Sequence, residues 1–424
     1  MGAFLEKPKT EKSSHSESGQ NLSYGLSAMQ GWRIDMEDAH TSILSLPAPF
    51  KSWAYFGVYD GHAGSSVSEI CSQKLLPSIL NTSEFKKMEL DDFGNPVDVE
   101  LAKRGIRNGF LELDKTIGQS HEVETGEDKS GSTVISVFVT PKYVIFANCG
   151  DSRGVLIRSN TVHFSTEDHK PMNPIERDRI IKAGGTVMIQ RINGSLAVSR
   201  SLGDFDYKKV DSKGPTEQLV SPDPEITVIE KVNDEDQLIV LACDGVWDVM
   251  SNEELGEFVI HRCQRVKDLS KIAEEVIDNC LYKGSRDNMS VVIISTKNAP
   301  NFDRELASKD VKLNELIERK VQEYVNGDGN EMDINSLLMW LQSANLQDLP
   351  PGGLTAKRFI IDPLFEDLCR DKQKPQNNSS ESNHTLSVLS LLTGSGTENT
   401  YLWQRNHEAA ADKTESSSSK SKTT

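Results

Sequence analysis

Short apolar runs rich in Val, Ile, Tyr and Phe, separated by Gly, Asp and Asn, fill the chain from Ser23 to about Thr296 and dictate what it can become. WAYFGVY (53–59), STVISVFV (132–139), YVIFANC (143–149), GVLIR (154–158), QLIVLAC (237–243) and MSVVIIS (289–295) are bounded by turn residues, which is the pattern of strands. The turn-like links at 140–142 (Thr-Pro-Lys) and 149–153 (Cys-Gly-Asp-Ser-Arg) suit antiparallel pairing. Helices are predicted over 66–80, 99–120, 174–183, 252–265 and 270–281, the last with Ile272, Val276, Ile277 and Cys280 at helical spacing. Clustered strands with helices between the clusters predict an α+β layered domain, not a parallel doubly wound sheet.

Flanking segments differ in composition. With 424 residues the length prior is two or three domains. Residues 1–22 are polar and predict a mobile arm ahead of the domain at 23–297. After Asn298-Ala299-Pro300, Leu306, Leu313, Leu316, Ile317, Val321, Tyr324 and Val325 fall on helical spacings within 302–326. Further helices are predicted over 334–346 and, beyond the break at 349–353 (Leu-Pro-Pro-Gly-Gly), over 356–369, giving a three-helix domain at 300–371. Residues 372–424, rich in Asn, Ser, Thr and Gln, predict a disordered tail, with LSVLSLL (386–392) as a locally sticky exception.

A net charge of −17 argues against nucleic acid as a partner, because polyanions attract basic surfaces. It leaves room for an anionic substrate if cations mediate. The six cysteines are scattered without a C-x-x-C pair, which suits a reducing compartment better than a disulfide framework or a zinc site. With no apolar run near membrane-spanning length and no opening signal peptide, the expectation is a soluble intracellular protein.

The chemistry lies where acidic residues meet strand ends. Asp60 ends YFGVY and precedes Gly61-His62; Asp244 ends LIVLAC and precedes Gly245-Val246-Trp247-Asp248. Asp287 stands just before NMSVVII, and Asp151 lies between two runs. Asp-Gly alone is most often a hairpin turn. Repeated placement at the ends of rigid strands sets beside that reading an equal one, carboxylates directed into a cleft, with the glycines allowing close approach of a backbone carbonyl. Hard oxygen donors without paired His or Cys select Mg²⁺ or Mn²⁺ over Zn²⁺. In Gly31-Trp32-Arg33-Ile34-Asp35-Met36-Glu37-Asp38, a strand would put Arg33, Asp35 and Glu37 on one face and Ile34, Met36 and Asp38 on the other. Asp38 on an apolar face then needs a cation or donors. Arg33 offers a fork to phosphate oxygens, the competing reading being a surface pair with Glu37. His62 beside such a cluster suits proton transfer at neutral pH, although a single turn histidine is usually only solvated.

Other motifs fail. HEVET (121–125) lacks the second His of a zinc protease, and DGNEMD (328–333) lacks the Gly and Glu of a calcium loop, Met339 standing at the last ligand position. No P-loop occurs.

RIDMEDAH (33–40), YDGHAG (59–64), SGST (130–133), NCGDSRG (148–154), LAVSRSLGD (196–204), SPDPEI (221–226), ACDGVWDV (242–249) and SRDNMSVV (285–292) resemble, in order, the motifs of the protein phosphatase 2C family of metal-dependent serine/threonine phosphatases. MGAFLEKPK and the helical region are similar to those of the animal alpha/beta members, whereas GSTV stands where GSTA is common. The resemblance implies a central two-sheet antiparallel β-sandwich flanked by α-helices, with a dinuclear Mg²⁺ or Mn²⁺ site at one end. It implies that Asp60 bridges the metals, Gly61 gives a carbonyl ligand, and Asp244 and Asp287 hold the second metal. Glu37 and Asp38 would position waters, and Asp151, Asp244 and Asp248 would form a weaker third site. Metal-activated water would then hydrolyse phosphoserine or phosphothreonine on proteins without a phosphoenzyme. Arg33 would bind the phosphoryl group and His62 would protonate the leaving alkoxide. Residues 165–215 correspond to a flap beside the cleft, where Arg191 is a candidate substrate contact, the competing reading being an ordinary surface arginine.

Gly2 permits myristoylation, although Glu6 replaces the usual Ser or Thr, and one acyl chain gives only weak membrane association. A monomer shared between cytoplasm and nucleus is the remaining expectation. The alternatives are another two-metal phosphoesterase such as a nuclease, which the acidic surface disfavours, and a scaffold, which need not keep Asp60, Asp244 and Asp287.

Overall fold

Each apolar run is buried on both faces because two antiparallel sheets stack against each other and helices cover their outer sides. The computed structural model describes residues 4–19, 21–232, 234–327 and 332–373. Its strands are β1 (Phe4–Ser18), β2 (Leu22–Arg33), β3 (Ala39–Ile43), β4 (Ala54–Tyr59), β5 (Gly61–His62), β6 (Gly131–Ser132), β7 (Val134–Val139), β8 (Tyr143–Cys149), β9 (Arg153–Arg158), β10 (Thr161–Ser165), β11 (Val187–Met188), β12 (Arg191–Ile192), β13 (Leu202–Gly203), β14 (Glu225–Glu230), β15 (Asp236–Ala242) and β16 (Met289–Thr296). One sheet runs β1-β2-β16-β15-β9-β10 and the other β14-β8-β7-β4-β3.

Alternation along β16 shows how the layers are built. Val292 and Ile294 face the second sheet, where Phe56, Val58, Val137 and Phe146 meet them. Val291 and Ile293 point the other way, onto Ile272, Val276 and Ile277 of helix Leu269–Lys283. On the far side, Tyr55, Phe138 and Ile145 of the second sheet pack on Leu75, Ile79, Ile106 and Phe110 from helices Ser66–Leu80 and Val99–Gly118. The two-residue side-chain period of a strand therefore serves two cores at once. Helix Leu269–Lys283 starts at Asp268, whose side chain accepts from Ser270 N–H, and stops at Gly284 in the left-handed region (φ 103°).

Residues 4–18 are not the expected mobile arm. They form β1, antiparallel to β2 with Ser18 opposite Ser23 and Phe4 opposite Arg33. Backbone pairing needs no apolar side chains, so a polar segment can close the edge of a sheet. Lys12 adds a 2.7 Å ion pair to Asp278, and Ser14 meets the Ser27 hydroxyl at 3.0 Å.

The C-terminal helices run Arg304–Asn326, Ile334–Ser343 and Arg358–Gln373, around Leu313, Ile317, Val321, Leu337, Leu341, Ile361 and Phe365. They are joined to the sandwich through Asp310, which accepts both guanidinium arms of Arg262 at 2.8 and 2.9 Å and Lys357 Nζ at 3.0 Å. Residues up to Lys372 accordingly form one compact unit. Gly2, LSVLSLL and the tail from 374 lie outside the described residues. No helix among the described residues is long and apolar enough to cross a membrane, and all six cysteines carry free thiols.

Candidate active site

Strand register brings the acidic residues to one end of the sandwich. Ala242 pairs with Arg153 on one side and Val291 on the other. The next turns outward carry Asp244, Asp151 and Asp287. Asp60 follows β4 in the facing sheet, and Glu37 and Asp38 lie in the connection from β2 to β3. Asp244 opens the short helix Asp244–Trp247, with Asp248 as its C-cap.

That connection is not the alternating strand expected over 31–38. β2 ends at Arg33, and Gly31 bends the chain in the left-handed region (φ 65°). Asn288 then holds the loop: its side-chain oxygen accepts Glu37 N–H at 2.9 Å, and its amide donates to the carbonyls of Gln30 (2.8 Å) and Asp35 (3.0 Å). Arg33 consequently pairs with Asp287 at 2.5 Å instead of with Glu37. Glu37 Oε1 accepts the Gly64 N–H at 2.6 Å. Ser290 Oγ donates to Asp38 Oδ2 at 2.7 Å, while Asp38 Oδ1 is buried without a partner.

Neither Asp-Gly step is a hairpin turn. A Cβ on Gly61 would sit 2.3 Å from the Glu37 carbonyl, and one on Gly245 would sit 2.1 Å from the Asn288 carbonyl. Glycine is required because backbone crosses backbone beside each aspartate.

Asp60 and Asp244 are partly exposed, but protein surrounds them closely enough that burial raises both carboxyls well above the usual range. Facing carboxylates add to this: Asp244, Asp38, Asp151 and Asp287 act on Asp60, and Asp151, Asp287 and Asp248 act on Asp244. Burial also brings Asp38 up to about 6, against the opposing Ser290 bond. Asp248, more exposed, is raised by burial and by its acidic neighbours. The cations at the rim are Arg33 and Lys170, the latter donating to Asp151 Oδ2.

His62 lies on β5, whose neighbour β6 also pairs with β13. Its Nε2 is 2.7 Å from Asp204 Oδ2. Burial opposes the imidazolium, but Asp204 overcomes this and raises the His62 pKa above its ordinary value. Arg191 lies on the hairpin β11–β12, exposed, and donates to the Ser195 carbonyl at 2.7 Å. Among the described residues no ion pair or hydrogen bond joins it to the carboxylates. The surrounding segment is anchored by Glu176, which receives Arg179 at 2.5 Å and Arg200 at 2.6 Å.

Asn288, Asp204, Lys170 and Cys243 were not singled out from the sequence. Asn288 and Asp204 belong to recognisable motifs, yet Gln30, which Asn288 holds, and His62, which Asp204 meets, are over a hundred positions away, so no local pattern reveals these pairings. Cys243 Sγ lies within 4.8 Å of the Asp38 and Asp60 oxygens. Burial raises its thiol well above the usual range, which keeps it protonated and a poor ligand. The remaining donors are carboxylate and carbonyl oxygens around the unpartnered Asp38 Oδ1, a set that fits hard divalent cations.

The α-β-β-α sandwich thus carries a carboxylate cluster and a histidine at one end. Residues 22–289 match the family model for protein phosphatase 2C, and residues 290–366 match that for the protein serine/threonine phosphatase 2C C-terminal domain. Human protein phosphatase 1A is 52% identical over 370 residues, covering 87% of this chain and 96% of the human protein. Rat protein phosphatase 1B is 50% identical over 375 residues, covering 88% and 96%. A crystal structure of a phosphatase from Toxoplasma gondii superposes with a TM-score of 0.57 at 26% identity, covering 68% of this chain and 96% of that one. The chain belongs to the protein phosphatase 2C family and is a protein serine/threonine phosphatase.

Proposed function

We propose that the chain hydrolyses phosphoserine and phosphothreonine on proteins at a dinuclear Mg²⁺ or Mn²⁺ centre, directly with water and without a phosphoenzyme. The carrying observation is the convergence of Asp38, Asp60 and Asp244, whose carboxyl pKa values are raised by burial and then by the neighbouring carboxylates. Asp60, the Gly61 carbonyl, Asp244 and Asp287 would hold the two cations. Asp151 and Asp248, with Asp244, would hold a weaker third in competition with Lys170. When bound, the cations supply an acidified water and neutralise phosphoryl charge.

The remaining chemistry belongs to the chain. Glu37, fixed by the Gly64 N–H, and Asp38, fixed by Ser290, orient water through their outward oxygens. Arg33, steadied by Asp287, presents its guanidinium to the phosphoryl oxygens. His62 gives a proton to the departing alkoxide. Arg191, exposed on its hairpin, contacts residues of the protein substrate. We also place the protein as a monomer in cytoplasm and nucleus. An acyl chain on Gly2 would add weak membrane association; an intact mass without the acyl increment would remove that last point.

The test is phosphate release from a phosphothreonine peptide, with Mg²⁺ or Mn²⁺, with chelator, and with Asp244→Asn. Release that needs metal and disappears in the variant supports the reading. Release that survives chelation overturns it.

A further inference from the structure

We infer that Asp204, backed by Ser201, is a positioning residue that locks the His62 ring so that Nδ1 meets the leaving-group oxygen. This rests on His62 acting as the acid.

The three short strands β13, β6 and β5 form a separate sheet in which His62 and Gly203 both lie opposite Gly131. Asp204 follows Gly203 directly, so the sheet carries the histidine on one edge and delivers the carboxylate from the other. A Cβ on Gly131, between them, would lie 2.3 Å from Asp204 Oδ2 and 2.5 Å from His62 Nε2. The central position must be glycine for the pair to close over it.

Asp204 is held from all sides. Its side chain is 4% exposed, against 27% for His62, so a buried anchor steers a ring that reaches the cleft. Ser201 Oγ donates to the same Oδ2 at 2.5 Å. The backbone of Asp204 is left-handed (φ 52°), an uncommon state for a residue with a side chain. Surrounding bonds enforce it: Asp204 N–H donates to the Ser130 carbonyl (3.1 Å), and Tyr207 N–H donates to the Asp204 carbonyl (2.9 Å). Asp114 takes Gly203 N–H at 2.9 Å and Lys208 Nζ at 2.7 Å, and that same Nζ donates to the Ser201 carbonyl at 3.0 Å. Strain overdetermined in this way is characteristic of functional positions.

With Nε2–H committed to Asp204, Nδ1 is the nitrogen left for substrate. As the P–O bond breaks, its electron pair stays on the serine or threonine oxygen and the Nδ1 proton passes to that oxygen. The water that attacks phosphorus loses a proton to solvent, and solvent restores Nδ1–H. The neutral ring left in between is the Nε2–H tautomer that Asp204 accepts from, so orientation is kept through the cycle.

The experiment compares a phosphothreonine peptide, whose alkoxide needs a proton, with p-nitrophenyl phosphate, whose phenolate leaves without one. Asp204→Asn keeps the size of the side chain and tolerates the left-handed backbone. It should lower kcat/KM for the peptide about 100-fold, as loss of an oriented acid does, and leave p-nitrophenyl phosphate within about 3-fold. His62→Gln should show the same split, and the double variant should be no worse on the peptide than either single one. Equal losses on both substrates in Asp204→Asn, or multiplied losses in the double variant, overturn the positioning role. A split in His62→Gln with none in Asp204→Asn overturns it while sparing the acid; a split in neither overturns the acid itself. If Asp204→Asn does not fold, Ser201→Ala is read by the same ratio: a peptide-specific loss of about 3- to 10-fold supports the inference, and an unchanged ratio overturns it.

Discussion

Two recessed charge clusters in this protein are built on opposite principles. Around Asp310, every charge meets its opposite: Arg262 approaches with both arms, Lys357 adds a third bond, and Glu275 takes Arg262 from the other side. Burial alone would raise the Asp310 carboxyl, yet Arg262 and Lys357 pull it down to about 2. Around Asp60, burial raises the carboxyl pKa values and the facing carboxylates raise them further. The first cluster is complete within the chain and joins two regions. The second is incomplete within the chain, and its unspent negative charge is what a cation would recognise.

The difference is open to attack from either side. The largest effect expected is from Asp244→Asn, which should cut metal-dependent phosphate release by about 1,000-fold or more, removing a ligand and its charge together. The same change should raise the Tm of the metal-free protein, by about 1 kcal/mol of relieved repulsion, in calorimetry with chelator present. Asp310→Ala should do the reverse. It strands Arg262 and Lys357 without their partner, should cost about 3–5 kcal/mol in denaturant unfolding, and should leave kcat nearly intact in protein still folded. Asn288→Ala, which releases the loop carrying Glu37 and Asp38, should weaken Mn²⁺ binding about 10-fold by titration calorimetry.

Acid should separate the clusters by sign. In metal-free protein Asp38, at about 6, binds a proton in the folded state before the unfolded chain does, so stability should rise as pH falls from 7 toward 5. Saturating Mg²⁺ should abolish that rise. Asp310 and Glu176, both near 2, stabilise the fold above the ordinary carboxylate range and lose that contribution as pH falls from about 5 to 2. Asp310→Asn should shrink the second limb to the part that Glu176 contributes and leave the first untouched. Chemical denaturation at stepped pH would show both.

The sequence reveals what repeats locally. Strands such as QLIVLAC and MSVVIIS are legible because both faces are buried, and Asp60, Asp244 and Asp287 are legible because an acid at a strand end is a local pattern. β1 was hidden because its contribution is main-chain bonding, which leaves no mark on side-chain composition. The course of residues 34–38 was hidden because Asn288 sets it from a distance. Arg33 was open between Glu37 and a phosphate; its partner in the fold is Asp287, 254 positions away. Asp204 was visible as a letter in a motif, but its meaning depends on a sheet that only the folded chain assembles.

The register of β1 has a practical outcome. Phe4 lies opposite Arg33, with its ring 5.8 Å from the Arg286 guanidinium, so the amino end of the strand reaches the same edge of the molecule as Arg33, the residue we propose to bind the phosphoryl group. Neighbouring strands are about 5 Å apart. Whatever is fused ahead of Phe4, an affinity handle or a fluorescent reporter, therefore starts at the doorstep of the cleft. Assays on bulky phosphoproteins would feel it before assays on small esters do, and purification handles belong at the other end of the chain.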